Sequence, residues 1–246
     1  MQNLGMNNNP AIYKGHRFPK SVISHAIWLY YRFSLSHRDV EELLAARGVE
    51  VSYETIRKWC LKFPSSYADK LKKSAGKHGD TWYLDEVFIN IQGKRHYLWR
   101  AVDQDGDEID ILVQRKRNKH AALRFFRKLF RKTNSRPLKI ITDKLRSYRA
   151  ALNELAPGTT HESNRYQNNR AERSHQPTRQ RERKMRRFKS QRQAQQFLPF
   201  HGLTNNLFRQ QRHLLSAKSY RTLRDRAFDI WQHDTCACWR ALNKAA

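Results

Sequence analysis

The stretch from Thr81 to Asn90, TWYLDEVFIN, constrains the chain more than any other. Its residues are mostly β-branched, aromatic or leucine. Polar turn residues bound it on both sides, Lys77-His78-Gly79-Asp80 before and Gln92-Gly93-Lys94 after, so it reads as a β-strand. An acidic pair, Asp85-Glu86, sits in its middle. A carboxylate in a run that otherwise seeks burial costs several kcal/mol unless it is paired, hydrogen-bonded or bound to a metal. Two readings follow: an edge strand whose polar face carries Asp85 to solvent, or a strand at the heart of a site that compensates the charge.

Two downstream stretches bear on that choice. Pro137 to Thr142, PLKIIT, is a short apolar run ending in Asp143, and Lys144 to Leu155 has helical character. Asp143 thus follows the carboxyl end of a strand, where open α/β sheets gather their chemistry. Its alternative role is a helix N-cap. Asn168 to Arg173, NNRAER, opens a long basic segment of helical composition. Asn169 to Glu172 has the spacing of a capping box, with Asn in place of Ser or Thr, so Glu172 also has a purely structural alternative. Taken together, Asp85, Asp143 and Glu172 lie 58 and then 29 positions apart. Three carboxylates converging at strand ends suit two Mg²⁺ or Mn²⁺ ions, hard cations that prefer oxygen ligands. Such a pair serves phosphoryl transfer by activating the attacking oxygen and stabilising the leaving one.

The segments YLDEV, ITDKLRSY and NNRAERSHQPTRQRERKMRRFKS resemble the DDE transposases of bacterial insertion sequences, in particular the IS6 family. The resemblance covers most of the chain, and its last block is the most specific. Between Asp143 and Glu172, 28 residues intervene, fewer than the mid-thirties of many members, which implies a shorter connecting loop. The resemblance implies an α/β chain: an all-α helix-turn-helix domain, then an RNase H-like catalytic domain with a mixed sheet. It further implies a DNA transposase that binds terminal inverted repeats and catalyses metal-dependent cleavage and strand transfer. Asp85, Asp143 and Glu172 are its expected catalytic residues and metal ligands. Double-stranded DNA, as element ends and as target, and further copies of the chain are its expected partners. The alternative is a non-enzymatic helix-turn-helix regulator whose acidic trio is two caps and an edge-strand residue. A nuclease of the same fold, which cuts without joining, is a third.

Charge agrees with a nucleic-acid partner. The chain has 49 Lys and Arg against 22 Asp and Glu among 246 residues, a net charge of +27. That surplus implies a polyanion, and the lack of an apolar span favours nucleic acid over a membrane. The polar opening MQNLGMNNNP has no apolar core region of a signal peptide, so the expected location is cytoplasmic and nucleoid-associated. No Gly-rich phosphate loop is present, so no nucleotide cofactor is expected. Cys60, Cys236 and Cys238 make a poor disulfide framework and, with His233, an incomplete zinc set.

After a tail over residues 1–18, residues 19–63 carry three helical patterns. Pro19 suits a first turn, Gly48 a C-cap and Ser52 an N-cap, and Pro64 ends the third helix. Two short helices around a Gly-containing turn outline a helix-turn-helix. Tyr53, Arg57 and Lys58 then lie on or near the face that enters a major groove, and the other reading is a three-helix bundle for protein contacts. Residues 64–80 read as a lysine-rich linker with room for one helical turn. The catalytic domain spans residues 81–216. Its first strand turns at Gln92-Gly93-Lys94 into a second, and Asp103 to Asp107 turns into a third. Arg117 to Lys132 is amphipathic, with Ala121, Ala122, Phe125, Phe126, Leu129 and Phe130 on one face. The basic segment that follows Glu172 includes Arg179, Arg181, Arg183, Lys184, Arg186 and Arg187, cations placed to neutralise phosphates. The resemblance gives Arg179 a DNA-contacting role, two helical turns beyond Glu172, with Pro177 between them as a potential kink. Residues 217–246 form a helical tail with Leu223, Ala227, Ile230 and Trp231 at core spacing, and His201, His213 and His233 are packing or surface residues.

Overall fold

The acidic strand is the middle of a five-stranded sheet. In this computed structural model, which describes residues 10–76, 78–163, 175–209 and 214–235, the strands are β1 (Thr81–Ile91), β2 (Lys94–Asp103), β3 (Glu108–Gln114), β4 (Lys139–Thr142) and β5 (Thr160–Ser163). Their order is β3-β2-β1-β4-β5. The first three form the expected antiparallel meander, while β4 runs parallel to β1 and β5 parallel to β4. The sheet is therefore mixed, with the meander-then-crossover order of an RNase H-like domain. A central β1 removes the edge-strand reading of Asp85. The sequence carries no signal for strand β5, because its four residues, THES, have no apolar alternation and add to the sheet as a short edge.

Helices α5 (Lys119–Thr133) and α6 (Arg146–Leu155) cover one face of the sheet. Asn118 begins α5 by accepting the Ala121 amide at 3.0 Å, and Asn134 ends it in the left-handed region at φ 48°. Trp82, Leu84 and Trp99 from the sheet meet Phe125, Phe126 and Leu129 of α5 and Tyr148, Ala151 and Leu152 of α6. Alternation puts Glu86 on this same face, at the rim of the aromatic core.

Two further helices complete this unit: α7 (Gln176–Lys184) and the first part of α8 (Gln191–Phe208). The β3 edge is closed by glutamines of α8. Gln195 accepts the Val113 amide at 2.8 Å, and Gln191 donates to the Val113 carbonyl at 2.8 Å. These bonds satisfy backbone groups that an open edge would offer to another strand. Arg100 and Glu108 form a buried ion pair at 2.9 Å. Gly202 lies against that carboxylate so closely that a Cβ there would fall 1.9 Å from Glu108 Oε1. Asp110, fully buried, is bonded by both Lys128 and Lys132 of α5.

The chain divides into residues 77–202 and a second unit made of residues 1–76 with 203–246. The second unit contains α1 (Lys20–Arg32), α2 (His37–Ala45), α3 (Tyr53–Lys62), α4 (Pro64–Ser74) and α9 (Ala217–Thr235). Ser36 caps α2 in a reciprocal box with Asp39, and Ser52 caps α3 by accepting the Thr55 amide. Gly48, at φ 74°, turns the chain between these two helices. The expected linker is instead mostly helix: Pro64 starts α4 as readily as it ends α3, and Tyr67, Ala68 and Leu71 bury one face. Lysines between those positions hid the period. Nor is the C-terminal segment a tail, since Trp231 of α9 is buried and donates to Ser24 of α1 at 2.8 Å. The 19–63 and 81–216 boundaries accordingly give way to a unit that closes with its own C-terminal helix. Cys236 and Cys238 lie outside the described residues. Among the described residues, no helix is long and apolar enough to cross a membrane.

Phe126 is the most telling test of this core, because it is fully buried between the sheet and α6. Phe126→Ala is expected to lower stability by about 3–5 kcal/mol, measured by urea unfolding; a loss below about 1 kcal/mol would show that the aromatic layer does not bear the fold.

Candidate active site

The parallel ladder between β1 and β4 ends at Leu84 and Thr142. The next residue on each strand is an aspartate, so Asp85 and Asp143 stand side by side where the sheet opens. Glu86 joins them: one carboxylate oxygen from each of the three lies within 4.8 Å of the others. Asp143 does not cap a helix, since α6 begins at Arg146 after Leu145, and the Asp143 carboxylate instead accepts the Leu145 amide at 3.0 Å. Of the three expected ligands, Asp85 and Asp143 are brought together; Glu172 lies outside the described residues. Glu162, a conceivable substitute, is on β5 and pairs with Lys139 at 2.7 Å.

Each carboxylate has its own support. Asp85 accepts its neighbour's amide at 2.9 Å and faces His175 Nε2, also at 2.9 Å. Burial holds His175 below its ordinary range, against the pull of Asp85. The Glu86 side chain is only 1% exposed. Tyr148 donates to it at 2.6 Å, and Arg117 forms an ion pair with it. Burial pushes the Glu86 carboxyl up to about 7 against the Tyr148 bond, and Asp143 adds to the rise. Burial also raises Asp143, and Asp85 reinforces it, while the Leu145 amide and Arg117 oppose. Arg117 spans the cluster, reaching Asp143 at 3.3 Å as well as Glu86.

This donor set fits a divalent cation. Three hard oxygen donors converge, two of their carboxyls are raised chiefly by burial and further by a neighbouring carboxylate, and one guanidinium is the counter-charge among the described residues. Asp143 is the most open of the three side chains at 35% exposed, against 15% for Asp85, so the site is entered from the Asp143 side. Tyr148, Arg117 and His175 escaped the sequence reading. Tyr148 lies five residues beyond Asp143 and His175 three beyond Glu172, spacings that become informative only once the ladder has fixed where each element starts.

The expected DNA contacts sort by exposure. On α3, Lys58 and Arg57 are exposed, Arg57 holding Glu54 through two bonds at 2.8 and 2.7 Å. Tyr53 lies under the Arg38 guanidinium, 4.5 Å from it. On α7, Arg179, Arg183 and Lys184 are exposed. Arg181 is a correction: it is 1% exposed and sits over the Phe197 ring at 5.5 Å, a core residue whose long stem packs while its cation meets an aromatic face. Arg186 and Arg187 are exposed in a left-handed turn, φ 53° and 69°, so the basic segment is a helix and a reversal, not one helix. Pro177 sits in the first turn of α7 and starts that helix instead of kinking it.

Two outcomes test this geometry. Tyr148→Phe keeps the ring and removes the donor to buried Glu86, and is expected to cost about 1–3 kcal/mol in urea unfolding. Arg117→Ala removes the competing cation, so Mn²⁺ is expected to bind roughly fivefold more tightly by calorimetric titration; weaker binding would mean that Arg117 serves mainly to position the carboxylates.

A DDE domain of the IS240 transposase type matches residues 79–211. The chain is 34% identical over 164 residues to the transposase for insertion sequence element IS257 in transposon Tn4003 of Staphylococcus aureus, covering 65% of this chain and 73% of that protein. The transposase for insertion sequence-like element IS431mec of S. aureus strain Mu50 matches with the same identity and coverage. Among solved structures, the chain is similar to the HTLV-2 integrase catalytic core domain in complex with magnesium, with a TM-score of 0.33 and 15% identity over 41% of this chain and 67% of that one. With its domain match beginning two residues before β1 and its identity spread over most of two insertion-sequence transposases, the chain belongs to the IS6 family of DDE transposases.

Proposed function

We propose that this chain binds the terminal inverted repeats of an insertion sequence and catalyses metal-dependent cleavage and strand transfer of DNA. The observation that carries the reading is the juxtaposition of Asp85 and Asp143 one residue past the parallel ladder, with Glu86 beside them. Asp85, Asp143 and Glu172 would hold two Mg²⁺ or Mn²⁺ ions. When bound, such ions lower the pKa of an attacking hydroxyl and stabilise the charge on the departing oxygen of a phosphodiester.

The chain's own residues supply placement. His175 and the Glu86 amide fix the Asp85 carboxylate, one on each oxygen. Tyr148 and Arg117 hold Glu86 still at the rim of a rigid aromatic core. Arg179, Arg183 and Lys184 on α7, with Arg186 and Arg187 beyond it, present cations to the DNA backbone. Helices α2 and α3 serve as a helix-turn-helix, with Tyr53, Arg57 and Lys58 toward the terminal repeat. Pairing two element ends calls for a homo-oligomer, and the substrate places the protein with the nucleoid in the cytoplasm. The regulator reading is weakened by two facts: β1 is a central strand, and Asp143 is not a cap.

A strand-transfer assay decides. Purified protein is mixed with a labelled duplex carrying the gene's flanking end, a target plasmid, and Mg²⁺ or EDTA. Asp143→Asn is expected to reduce joining by more than about a hundredfold, the scale of removing one electrostatic stabiliser, with end binding kept within about twofold. Asp85→Asn and Glu172→Gln are expected to behave alike. Joining at the wild-type rate by Asp143→Asn would overturn the assignment, as would joining in EDTA.

A further inference from the structure

Beyond the acidic pair, β1 carries an aromatic side chain that the core does not use. Phe88 is 58% exposed, two residues past Glu86 and by strand alternation on the same side. That places it about 7 Å along the strand from Glu86, or roughly two base-pair rises of DNA. Two guanidiniums sit on its ring. Arg95, from the facing strand of the hairpin, lies 5.3 Å from the centroid, and Arg179, from α7, lies 5.9 Å away. Both arginines are exposed.

An exposed phenylalanine alone is unremarkable, or a patch for another protein. This one is flanked by two cations from separate elements, close to carboxylates that fit a phosphodiester-processing site. An apolar protein partner would have to desolvate both guanidiniums, whereas a nucleotide offers a flat face for the ring and phosphates for the arginines. We infer that Phe88, Arg95 and Arg179 form a stacking site for an unpaired nucleobase of the DNA strand in the active site, its neighbouring phosphates meeting the two guanidiniums. The inference rests on the strand-transfer reading above and adds a specific demand: the strand's end must be at least partly unpaired when it is engaged. Stacking on an aromatic side chain is sequence-tolerant, because every base has a π face. The site therefore holds a position along the strand and leaves sequence recognition to other residues.

The test uses the full chain in EDTA, so that binding is read without chemistry. One probe is an end duplex with an unpaired 2-aminopurine at its terminus; the other is the same duplex fully paired. Wild type is expected to quench 2-aminopurine on the frayed duplex. Phe88→Ala should lose the quench and bind that duplex on the order of tenfold more weakly, with the paired duplex changed less than about twofold. Phe88→Trp should retain both, and Phe88→Leu, apolar but without a π face, should resemble Phe88→Ala. Equal weakening on both duplexes, a Phe88→Leu variant as good as wild type, or a loss of self-association with unchanged quenching would each overturn the stacking site. The last outcome would assign Phe88 to a contact between copies. Joining by wild type in Mg²⁺, run in parallel, separates the two readings. Joining with no stacking difference sinks this site alone, and stacking without joining, whether in Mg²⁺ or Mn²⁺, sinks the strand-transfer reading.

Discussion

Everything at the acidic cluster depends on where one parallel ladder stops. Two carboxylate charges within 4.8 Å repel by about 3 kcal/mol at an effective dielectric near 20. A fold that sets Asp85 beside Asp143 must therefore hold them from outside. The ladder does so through backbone geometry: four paired residues of β1 and β4, Thr81 to Leu84 against Lys139 to Thr142, fix the register, and the fifth position on each strand is the aspartate. No side-chain contact between the two is needed, and none would be favourable without a cation. Arg117 partly fills that role, bonding Glu86 and Asp143 at once, while burial first and the neighbouring carboxylate second keep both carboxyls raised.

The rest of the domain makes the register rigid. On the face shared with Glu86, the aromatic layer of Trp82, Trp99, Phe125, Phe126 and Tyr148 leaves the strand no room to slip, since a one-residue shift would turn Trp82 and Leu84 away from α5. Tyr148 belongs to both systems. Its ring packs against Trp99 and Phe126, and its hydroxyl ends on Glu86, so the core is anchored directly to the acidic cluster. Across the sheet, polar chemistry does comparable work. Arg100, directly opposite Asp85 in the antiparallel register, is committed to Glu108. Gly202 lets α8 approach that carboxylate. Breaking such a buried pair strands a charge, so these residues specify one arrangement even where their net contribution to stability is small.

Much of this was legible in the sequence, and the limits have physical causes. The first four strands and α5 declared themselves because their apolar periods are long or their flanks are sharp. Asp85 and Asp143 stood out as charges placed where burial was expected. The short strand β5 could not be read because THES has no period, and α4 because lysines filled the gaps between its buried residues. The supporting residues of the site were invisible for another reason. Arg117, Tyr148 and His175 are unremarkable by type and spacing, and acquire meaning only from a register that composition does not encode.

The basic segment shows the same limit in reverse. By composition, its arginines are equivalent, and the surplus of +27 invites assigning all of them to DNA. The fold separates them. Helix α7 turns Thr178 and Arg181 inward and Arg179, Arg183 and Lys184 outward. Arg181 is withdrawn from any phosphate and spent on Phe197, where a guanidinium can stay charged against an aromatic face. Arg179 meets an aromatic ring too, but an exposed one, with Arg95 on the same ring. The same chemical contact is thus structural at one position and available to a ligand at the other. Burial, which the sequence does not state, decides between them.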